Sequence, residues 1–319
     1  MSFRFLKSFG LVIPAAILVV FFSLNAFADE RQEINRIFDV SPGGQLTLET
    51  DLGSVELTSS RSNKVEVRVI LNAKTRNRDR AEEIFDHFHI EFNQEGDDVY
   101  ILAEYDYKRG SLRFWDRKRS RLRVKYFITV PARYDVSLQT IGGSVTVGDL
   151  EGRVRVVSSG GNLNFENITG PVRGKTSGGS IELLSCTGTA DIRTSGGSIS
   201  IGRVDGDVAA HTSGGSISIE EALGSIDAST SGGSVTARLT RQPKDDCRLT
   251  TSGGNVTVYM AKDIAADINA KTSGGRVKND FPLKVKGCVS RTSLEAAING
   301  GGPELYLRTS GGNIHLREL

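Results

Sequence analysis

Apolar and polar residues alternate with a period of two through the C-terminal half of the chain. Ile199 and Ile201 are separated by a serine, and Ile217 and Ile219 by another. Strict alternation is typical of a β-strand with one buried face. Two such short strands recur in each unit, so the pattern predicts a series of paired strands rather than alternating helices and strands.

The strands are separated by a recurring motif, Thr-Ser-Gly-Gly-Ser, whose copies follow one another at a constant period of 18. Divergent copies precede this series at the same period, and wider spacings follow it. Thr292-Ser293 divides the longest gap and predicts a degenerate coil there. The starts are Thr140, Ser158, Thr176, Thr194, Thr212, Thr230, Thr251, Thr272 and Thr309. Self-similarity at one fixed period indicates a repeat architecture.

A coil of this length with two strands is too short for a propeller blade and holds no helical pattern. It predicts an all-β fold, a flattened single-chain β-solenoid in which each strand pairs with its copy in the next coil. Glycine is expected at the corners because it adopts positive φ without a Cβ clash. The corner serines and threonines are expected to form hydroxyl ladders. The turn glycines are Gly160, Gly161, Gly178, Gly179, Gly196, Gly197, Gly214, Gly215, Gly232, Gly233, Gly253 and Gly254.

The region before residue 135 lacks the period, apart from one divergent coil around Thr50–Leu57. Apolar spacings of three and four predict a helix over Arg78–Phe88, and alternation predicts strands around it. The sequence therefore predicts a small α+β module, residues 29–134, that caps the solenoid domain, residues 135–319.

Residues 1–28 have the pattern of a secretory signal peptide. Arg4 and Lys7 precede an apolar stretch, and Ala26-Phe27-Ala28 provides a small-x-small cleavage site. The protein is therefore expected to be exported to the periplasm or the cell surface. At the other end, the chain stops after the predicted last strand with no cap, which suggests end-to-end self-association blunted by Arg317 and Glu318.

These features together resemble the bacterial "putative adhesin" β-strand-repeat family. The resemblance is carried by the signal peptide, the entry strand Phe127–Val136, the serial Thr-Ser-Gly-Gly-Ser-Ile coils and the Ile298–Pro303 stretch. It covers most of the mature chain and implies a β-solenoid, in agreement with the repeat pattern. The family provides no catalytic or binding motif that could be transferred to individual residues.

Charge and cysteine content narrow the function. The formal charge of +2 falls to about zero once Arg4 and Lys7 are removed, which excludes a globally basic nucleic-acid binder. Cys247 and Cys288 fall in an inward column of the alignment, so both are predicted to be buried and unbridged, whereas Cys186 falls in a turn. No cofactor or metal site is predicted.

The residues from Asp106 to Lys125 hold nine Lys or Arg against two Asp. The only Trp of the chain lies in the middle of this basic segment, which suits an anionic surface such as lipid headgroups or an acidic glycan, whereas a solvated loop is the alternative. The candidate binding residues are Lys108, Arg109, Arg113, Phe114, Trp115, Arg117, Lys118, Arg119 and Arg121.

Three other chemistries are disfavoured. The Ser-Ile-Ser-Ile stretches lack the acids of calcium-binding nonapeptide repeats. His87 and His89 have no third ligand nearby in the sequence. Glycan cleavage would need paired carboxylates, but the acids at outward or turn positions show no repeated column. These acids are Asp191, Asp205, Asp207, Glu220, Glu221 and Asp227.

The preferred interpretation is a non-enzymatic envelope protein, adhesin-like or a scaffold or envelope-stress accessory. Its solenoid would bind envelope glycan, anionic lipid or another envelope protein. The alternative is a carbohydrate-active β-helix enzyme, which an acid cluster in one groove of the folded protein would favour.

Overall fold

The computed structural model describes residues 19–21, 30–106 and 122–319. These residues form a β-solenoid built from two long sheets that face each other across one hydrophobic core. Sheet A contains β1 (Val19–Phe21), β2 (Glu30–Asp39), β4 (Ser54–Ser60), β5 (Lys64–Ala73), β8 (Leu122–Pro131), β10 (Val145–Val147), β11 (Leu150–Glu151), β13 (Leu163–Thr169), β15 (Ile181–Cys186), β17 (Ile199–Val204), β19 (Ile217–Ala222), β21 (Val235–Leu239), β23 (Val256–Met260), β25 (Val277–Asn279) and β29 (Ile314–Glu318).

Sheet B faces it. It contains β3 (Gln45–Thr50), β6 (Phe88–Glu95), β7 (Asp98–Tyr105), β9 (Asp135–Thr140), β12 (Val154–Ser158), β14 (Val172–Lys175), β16 (Ala190–Arg193), β18 (Val208–His211), β20 (Ile226–Thr230), β22 (Cys247–Thr251), β24 (Ala266–Thr272), β26 (Lys284–Val289), β27 (Ser293–Ile298) and β28 (Glu304–Thr309). Among the described residues, no helix is long and apolar enough to span a membrane.

The middle coils follow the predicted plan. Each coil contributes one strand to each sheet, and each strand pairs in parallel with its copy in the next coil, as Ile199 does with Ile217 and Val208 with Ile226. The alternating apolar residues point into the core, where Ile201 and Ala210 are fully buried. The predicted solenoid of two-strand coils is therefore confirmed.

The glycine pair at the corner is required for a different reason from the one predicted. None of the twelve predicted turn glycines has a positive φ. Instead, a Cβ on the second glycine of a pair would overlap the backbone of the coil before it: one on Gly197 would fall on the carbonyl group of Gly179. Close contact between stacked backbones, not an unusual dihedral angle, thus excludes every side chain at this position.

The recurring threonine of each coil donates a hydrogen bond to the same glycine carbonyl group. Thr194 Oγ1 donates a hydrogen bond of 2.7 Å to the Gly179 oxygen, and Thr212 Oγ1 donates one of 2.8 Å to the Gly197 oxygen. These threonines are buried, so the bond satisfies a hydroxyl that would otherwise be costly. The predicted ladder of hydroxyls bonded to one another is wrong for these threonines, because each hydroxyl bonds to a glycine carbonyl.

The last residue of the motif links the coils in a second way. The Ser180 hydroxyl accepts a hydrogen bond of 3.2 Å from the Ser198 amide, and the Ser198 hydroxyl accepts one of 3.2 Å from the Ser216 amide. Asn162 takes the same role through its side-chain oxygen toward the Ser180 amide. A short side chain with an acceptor oxygen therefore stands at these corners, where the chain turns into sheet A.

At the N-terminal end, coils appear before the predicted domain boundary at residue 135. β3 and β4 form one coil, which includes the predicted divergent coil around Thr50, and β7 and β8 form another outside it. β6 and β5 then pair antiparallel with this outer coil, and β2 and β1 extend sheet A further. The helix α1 (Arg78–Phe85) packs Ala81 and Ile84 inward and ends before the predicted Phe88, which begins β6.

At the C-terminal end, the order of coils differs from the order of the sequence. β28 and β29 lie between the coil of β22 and β23 and the coil of β24 and β25. β27 and β26 form an antiparallel cap on β24, so the degenerate coil expected at Thr292-Ser293 is wrong. Arg317 and Glu318 therefore lie within sheet A rather than at an open end of the rod. End-to-end association itself stays a prediction.

Two of the three cysteine predictions are also wrong. Cys247 is buried as expected, but Cys288 lies on the edge strand β26 and is exposed. Cys186, expected in a turn, is the buried last residue of β15, and burial raises the pKa of its thiol to about 11. All three thiols are free.

Candidate functional site

The residues of the predicted basic segment, Lys108 to Arg121, lie outside the described residues. The strands on either side of the segment are described: β7 ends at Tyr105 and β8 begins at Leu122, and they form the outermost parallel coil. Arg123 and Lys125 of β8 are exposed. The candidate residues in that segment, from Lys108 through Trp115 to Arg121, stay a prediction.

A cationic surface lies on the outer face of sheet B within the described residues. Four exposed basic residues occupy outward positions of the neighbouring strands β12, β14 and β16, and we call them the basic patch: Arg155, Arg173, Lys175 and Arg193. The only carboxylate at an outward position of these three strands is Asp191. Four cations and one carboxylate give the patch a net charge of +3.

The repeat period stacks like charges in the basic patch. Arg155 lies directly opposite Arg173, and Lys175 directly opposite Arg193, in the parallel register. Adjacent strands are about 4.8 Å apart, and like charges in direct opposition are destabilising. The fold itself does not need these charges, because the side chains point into solvent.

Asp191 neutralises only part of the positive charge of the basic patch. Its carboxylate accepts from Arg193 Nε at 2.7 Å and lies 3.3 Å from Arg173 Nε. Within the part of the chain that the structure describes, Arg155 and Lys175 form no ion pair. Their charges are therefore available to a ligand.

The opposite face of the same coils is different in character. On β13, β15 and β17 of sheet A, the outward residues include Glu166, Glu182 and Arg203, together with serine, asparagine and an exposed Leu184. Acids outnumber bases there. The outer faces of the two sheets thus differ in charge, although in these coils both sheets consist of parallel strands and share one core.

Beside the basic patch, the outer face of sheet B contains a recess of about 450 Å³. It forms over Ala209 because the neighbours of this residue in the register, Asp191 and Asp227, are larger. The charged residues that line it are Asp191, Arg193, Asp207, Asp227, Asp246 and Arg248. The outward acids were expected to show no repeated column, but the repeat period aligns positions 173, 191, 209 and 227 in one row and so places Asp191 and Asp227 on the two sides of Ala209.

Three of the four carboxylates in the recess already have structural partners. Asp191 holds two arginines, Asp207 accepts from the Ser225 amide at 2.8 Å and its hydroxyl at 2.9 Å, and Asp246 accepts from the Glu304 amide at 2.7 Å. Asp227 is the exception, with His211 Nε2 at 3.9 Å.

The partners of these carboxylates are relevant to the alternative function, a carbohydrate-active enzyme. Glycoside cleavage needs one carboxyl group that gives a proton and a second that attacks or activates water. Only Asp227 lacks hydrogen-bond partners among the recess carboxylates that the structure describes. In the described ranges, moreover, no group of three or more His, Cys, Asp or Glu side chains is arranged to hold a metal ion.

Arg248 of the recess also contacts an aromatic ring outside it. Arg248 stacks over the Tyr306 ring at 4.8 Å, and Arg308 stacks over it at 4.0 Å. Arg308 also donates hydrogen bonds to the backbone and side-chain oxygens of Asn269. Stacking on Tyr306 therefore holds the Arg248 guanidinium group in one position. A guanidinium group held in this way is suited to ligand recognition.

One family model matches most of the chain, including much of the predicted N-terminal module. The model of one family, Toastrack DUF4097, matches residues 44–317. No curated protein matches the chain.

Several solved structures match along most of the chain. A putative adhesin from Bacteroides fragilis is 15% identical with a TM-score of 0.42, and the match covers 89% of this chain and 96% of the other. A putative lipid binding protein from Parabacteroides distasonis is 15% identical with a TM-score of 0.41 over 89% and 96%. A putative adhesin from Parabacteroides merdae is 8% identical with a TM-score of 0.39 over 90% and 96%.

Proposed function

The chain belongs to the Toastrack DUF4097 family, and from this starting point we propose that it is a non-enzymatic protein of the cell envelope. Its β-solenoid acts as a rigid support, adhesin-like or scaffolding, that presents a binding surface on the outer face of sheet B. The basic patch of Arg155, Arg173, Lys175 and Arg193 binds an anionic partner there.

One observation carries this proposal: the basic patch holds like charges in direct opposition, and two of its cations have no ion pair in the described chain. The arrangement opposes folding slightly and adds nothing to the core. A surface with one sign of charge attracts ligands of the opposite sign. Anionic binding is the function that uses this charge.

The non-enzymatic part of the proposal is supported by the recess carboxylates. Asp191, Asp207 and Asp246 hold neighbouring groups of the protein itself, so they position the walls rather than act on a substrate. Incubation of the protein with an acidic oligosaccharide is expected to yield no new reducing ends. Release of such ends would favour the carbohydrate-active enzyme instead.

The export part rests on the signal-peptide pattern of residues 1–28. N-terminal sequencing of the secreted protein is expected to find Asp29 first. We place the protein in the periplasm or at the cell surface, where acidic glycans, anionic lipids and other envelope proteins are the available partners.

The basic segment is proposed as a second cationic surface. Neutralising Arg117, Lys118, Arg119 and Arg121 is expected to weaken binding to vesicles that contain phosphatidylglycerol, because lysine and arginine each contribute about 1 kcal/mol near an anionic bilayer. Unchanged binding to such vesicles would remove the segment from the proposal and leave the basic patch in place.

The central experiment neutralises the unpaired cations of the basic patch. The variant Arg155→Gln/Lys175→Gln is compared with Arg317→Gln/Lys278→Gln, which removes one arginine and one lysine from the outer face of sheet A. Both control residues are exposed and form no ion pair in the described ranges. The probes are polygalacturonate and phosphatidylglycerol vesicles at low ionic strength.

We expect the patch variant to bind at least one probe about tenfold more weakly than the wild type, a difference of about 1.4 kcal/mol. The control is expected to change by less than about twofold, and added salt is expected to weaken wild-type binding because it screens exposed charges. Equal affinities for all three proteins would overturn the proposal.

A further inference from the structure

The recess over Ala209 is an open depression on the outer face of sheet B. Its volume of about 450 Å³ lies within the range of small-molecule sites, about 300–1,000 Å³. Ala209 is the outward apolar side chain at its floor, since Ala190, Val208 and Ile226 point into the core, and charged side chains form the walls. Polar groups from several strands thus converge around one small apolar residue, an arrangement found in ligand sites.

The wall chemistry fits the hydroxyl groups of a sugar. A hydroxyl both donates and accepts hydrogen bonds, so it is satisfied best where carboxylates and guanidinium groups stand together. Here Asp191 and Arg193 stand on one side, and Asp227 and Arg248 on the other. The small side chain of Ala209 leaves room for the C–H face of a sugar ring.

The recess itself is not suited to an anion. Four carboxylates and two guanidinium groups line it, so its own charge is negative. The basic patch, in contrast, is positive and begins at the same wall, because Arg193 belongs to both surfaces. One extended ligand that meets both surfaces must therefore place an uncharged group in the recess and an anionic group on the patch.

The distance between the two surfaces is short. Ala209 of β18 lies two strands from Arg173 and Lys175 of β14, about 10 Å at the usual strand spacing. We infer that the ligand is an acidic oligosaccharide, with an uncharged sugar residue in the recess and its anionic groups on the basic patch. This inference rests on the proposed function, because it names the ligand of that surface.

A membrane surface fits the same face less well. A bilayer is broad and would not fill a recess lined by charges. No exposed large apolar side chain of the described residues lies on the strands that carry the patch and the recess, β12 to β20 of sheet B: Tyr100 and Leu102 are on β7, Val285 and Val289 are on the edge strand β26, and Leu184 is on sheet A. The observations therefore favour a glycan over a lipid surface.

The test fills the recess without changing charge. Ala209→Ile adds an apolar side chain on the outer face of β18, and Ser200→Ile adds one on the outer face of β17 in sheet A as the matched control. Both positions point away from the core, and circular dichroism and melting temperature verify folding. The main probe is a hexasaccharide that alternates N-acetylglucosamine and glucuronate. An uncharged N-acetylglucosamine hexamer and phosphatidylglycerol vesicles are the comparison probes.

We expect the wild type to prefer the alternating hexasaccharide over both comparison probes. Ala209→Ile is expected to weaken that binding at least about tenfold, whereas Ser200→Ile leaves it within about twofold. Arg155→Gln/Lys175→Gln is expected to weaken it as well, since both surfaces hold the same molecule.

The remaining outcomes separate the two proposals. If the patch variant loses hexasaccharide binding but Ala209→Ile binds as the wild type does, the inference is overturned and the proposed function stands. If only vesicles bind, and do so through the basic patch, the ligand is a membrane and the inference is again overturned. If neither variant changes any binding, the proposed function fails together with the inference.

Discussion

The Ser-Gly-Gly corner and the outer face of sheet B belong to the same coils but are constrained in opposite ways. At the corner, the backbone of one coil touches that of the next, so Gly197 has no room for a Cβ and Thr212 has one partner for its hydroxyl. On the outer face, nothing covers the side chains, and Arg173, Asp191 and Ala209 succeed one another in a single row.

The difference shows where information about function lies in a repeat protein. Residues that recur in every coil, such as the corner glycines, are explained by stacking alone. Residues that change from coil to coil at a solvent-facing position are not required by the fold, so a cluster of one charge among them calls for another explanation. Four experiments test this separation of packed and exposed positions.

The largest expected effect concerns the cysteines. Cys288 is exposed on an edge strand, whereas Cys186 and Cys247 are buried, and burial raises the pKa of Cys186 to about 11. If labelling of the buried thiols requires local opening that costs about 3 kcal/mol or more, they react more than about a hundredfold more slowly than Cys288 at pH 8. Pulsed alkylation with mass spectrometry measures this, with urea-unfolded protein as the control. Comparable rates for Cys186 and Cys288 in the folded protein would contradict the burial.

The next effect concerns the two glycines of one corner. Gly197→Ala is expected to lower the free energy of unfolding by about 3 kcal/mol or more, because its Cβ would overlap the Gly179 carbonyl group and the backbones must separate. Gly196→Ala is the control, since its nearest neighbour would be 3.3 Å away. Urea denaturation gives both values. An equal loss for both variants would show that conformational freedom, and not close stacking, decides the position.

A smaller effect is expected from the corner hydroxyl. Thr212→Val keeps the shape of the side chain but leaves the Gly197 carbonyl without its 2.8 Å hydrogen bond, which costs about 1–3 kcal/mol. Thr236→Val makes the same change at an outward position of β21 and is expected to alter stability by less than about 0.5 kcal/mol. Thermal and urea unfolding compare the pair. A neutral Thr212→Val would mean that the carbonyl finds water instead.

The smallest effect has the opposite sign. Neutralising Arg155 and Lys175 relieves like-charge opposition with Arg173 and Arg193, so the double glutamine variant is expected to be more stable by about 0.5 kcal/mol at low salt. The gain is expected to shrink in high salt because exposed charges are screened. Urea unfolding at two ionic strengths measures it, beside Arg317→Gln/Lys278→Gln. A clear loss of stability would show that the basic patch has a structural role.

Much of the site was readable from the repeat, although it was not recognised. Once the period is known, Arg155 and Arg173 must be neighbours, and so must Asp191, Ala209 and Asp227. What the period does not provide is which acids hold arginines or backbone amides. These hydrogen bonds and ion pairs depend on side-chain rotamers and on the turns, where Asp207 and Asp246 accept hydrogen bonds from the neighbouring coil.

For the middle coils, the sequence by itself determined the coil, its two strands and the inward position of the alternating apolar residues, because these depend on local alternation and on contacts at one fixed separation. Only the tertiary structure decided the order of coils at the ends, where β28 and β29 insert between earlier strands and Cys288 lies on an exposed edge. A strand with one apolar face can pair equally well with several others, so its pattern fixes its face but not its neighbour. The neighbour is selected by the packing of the whole rod.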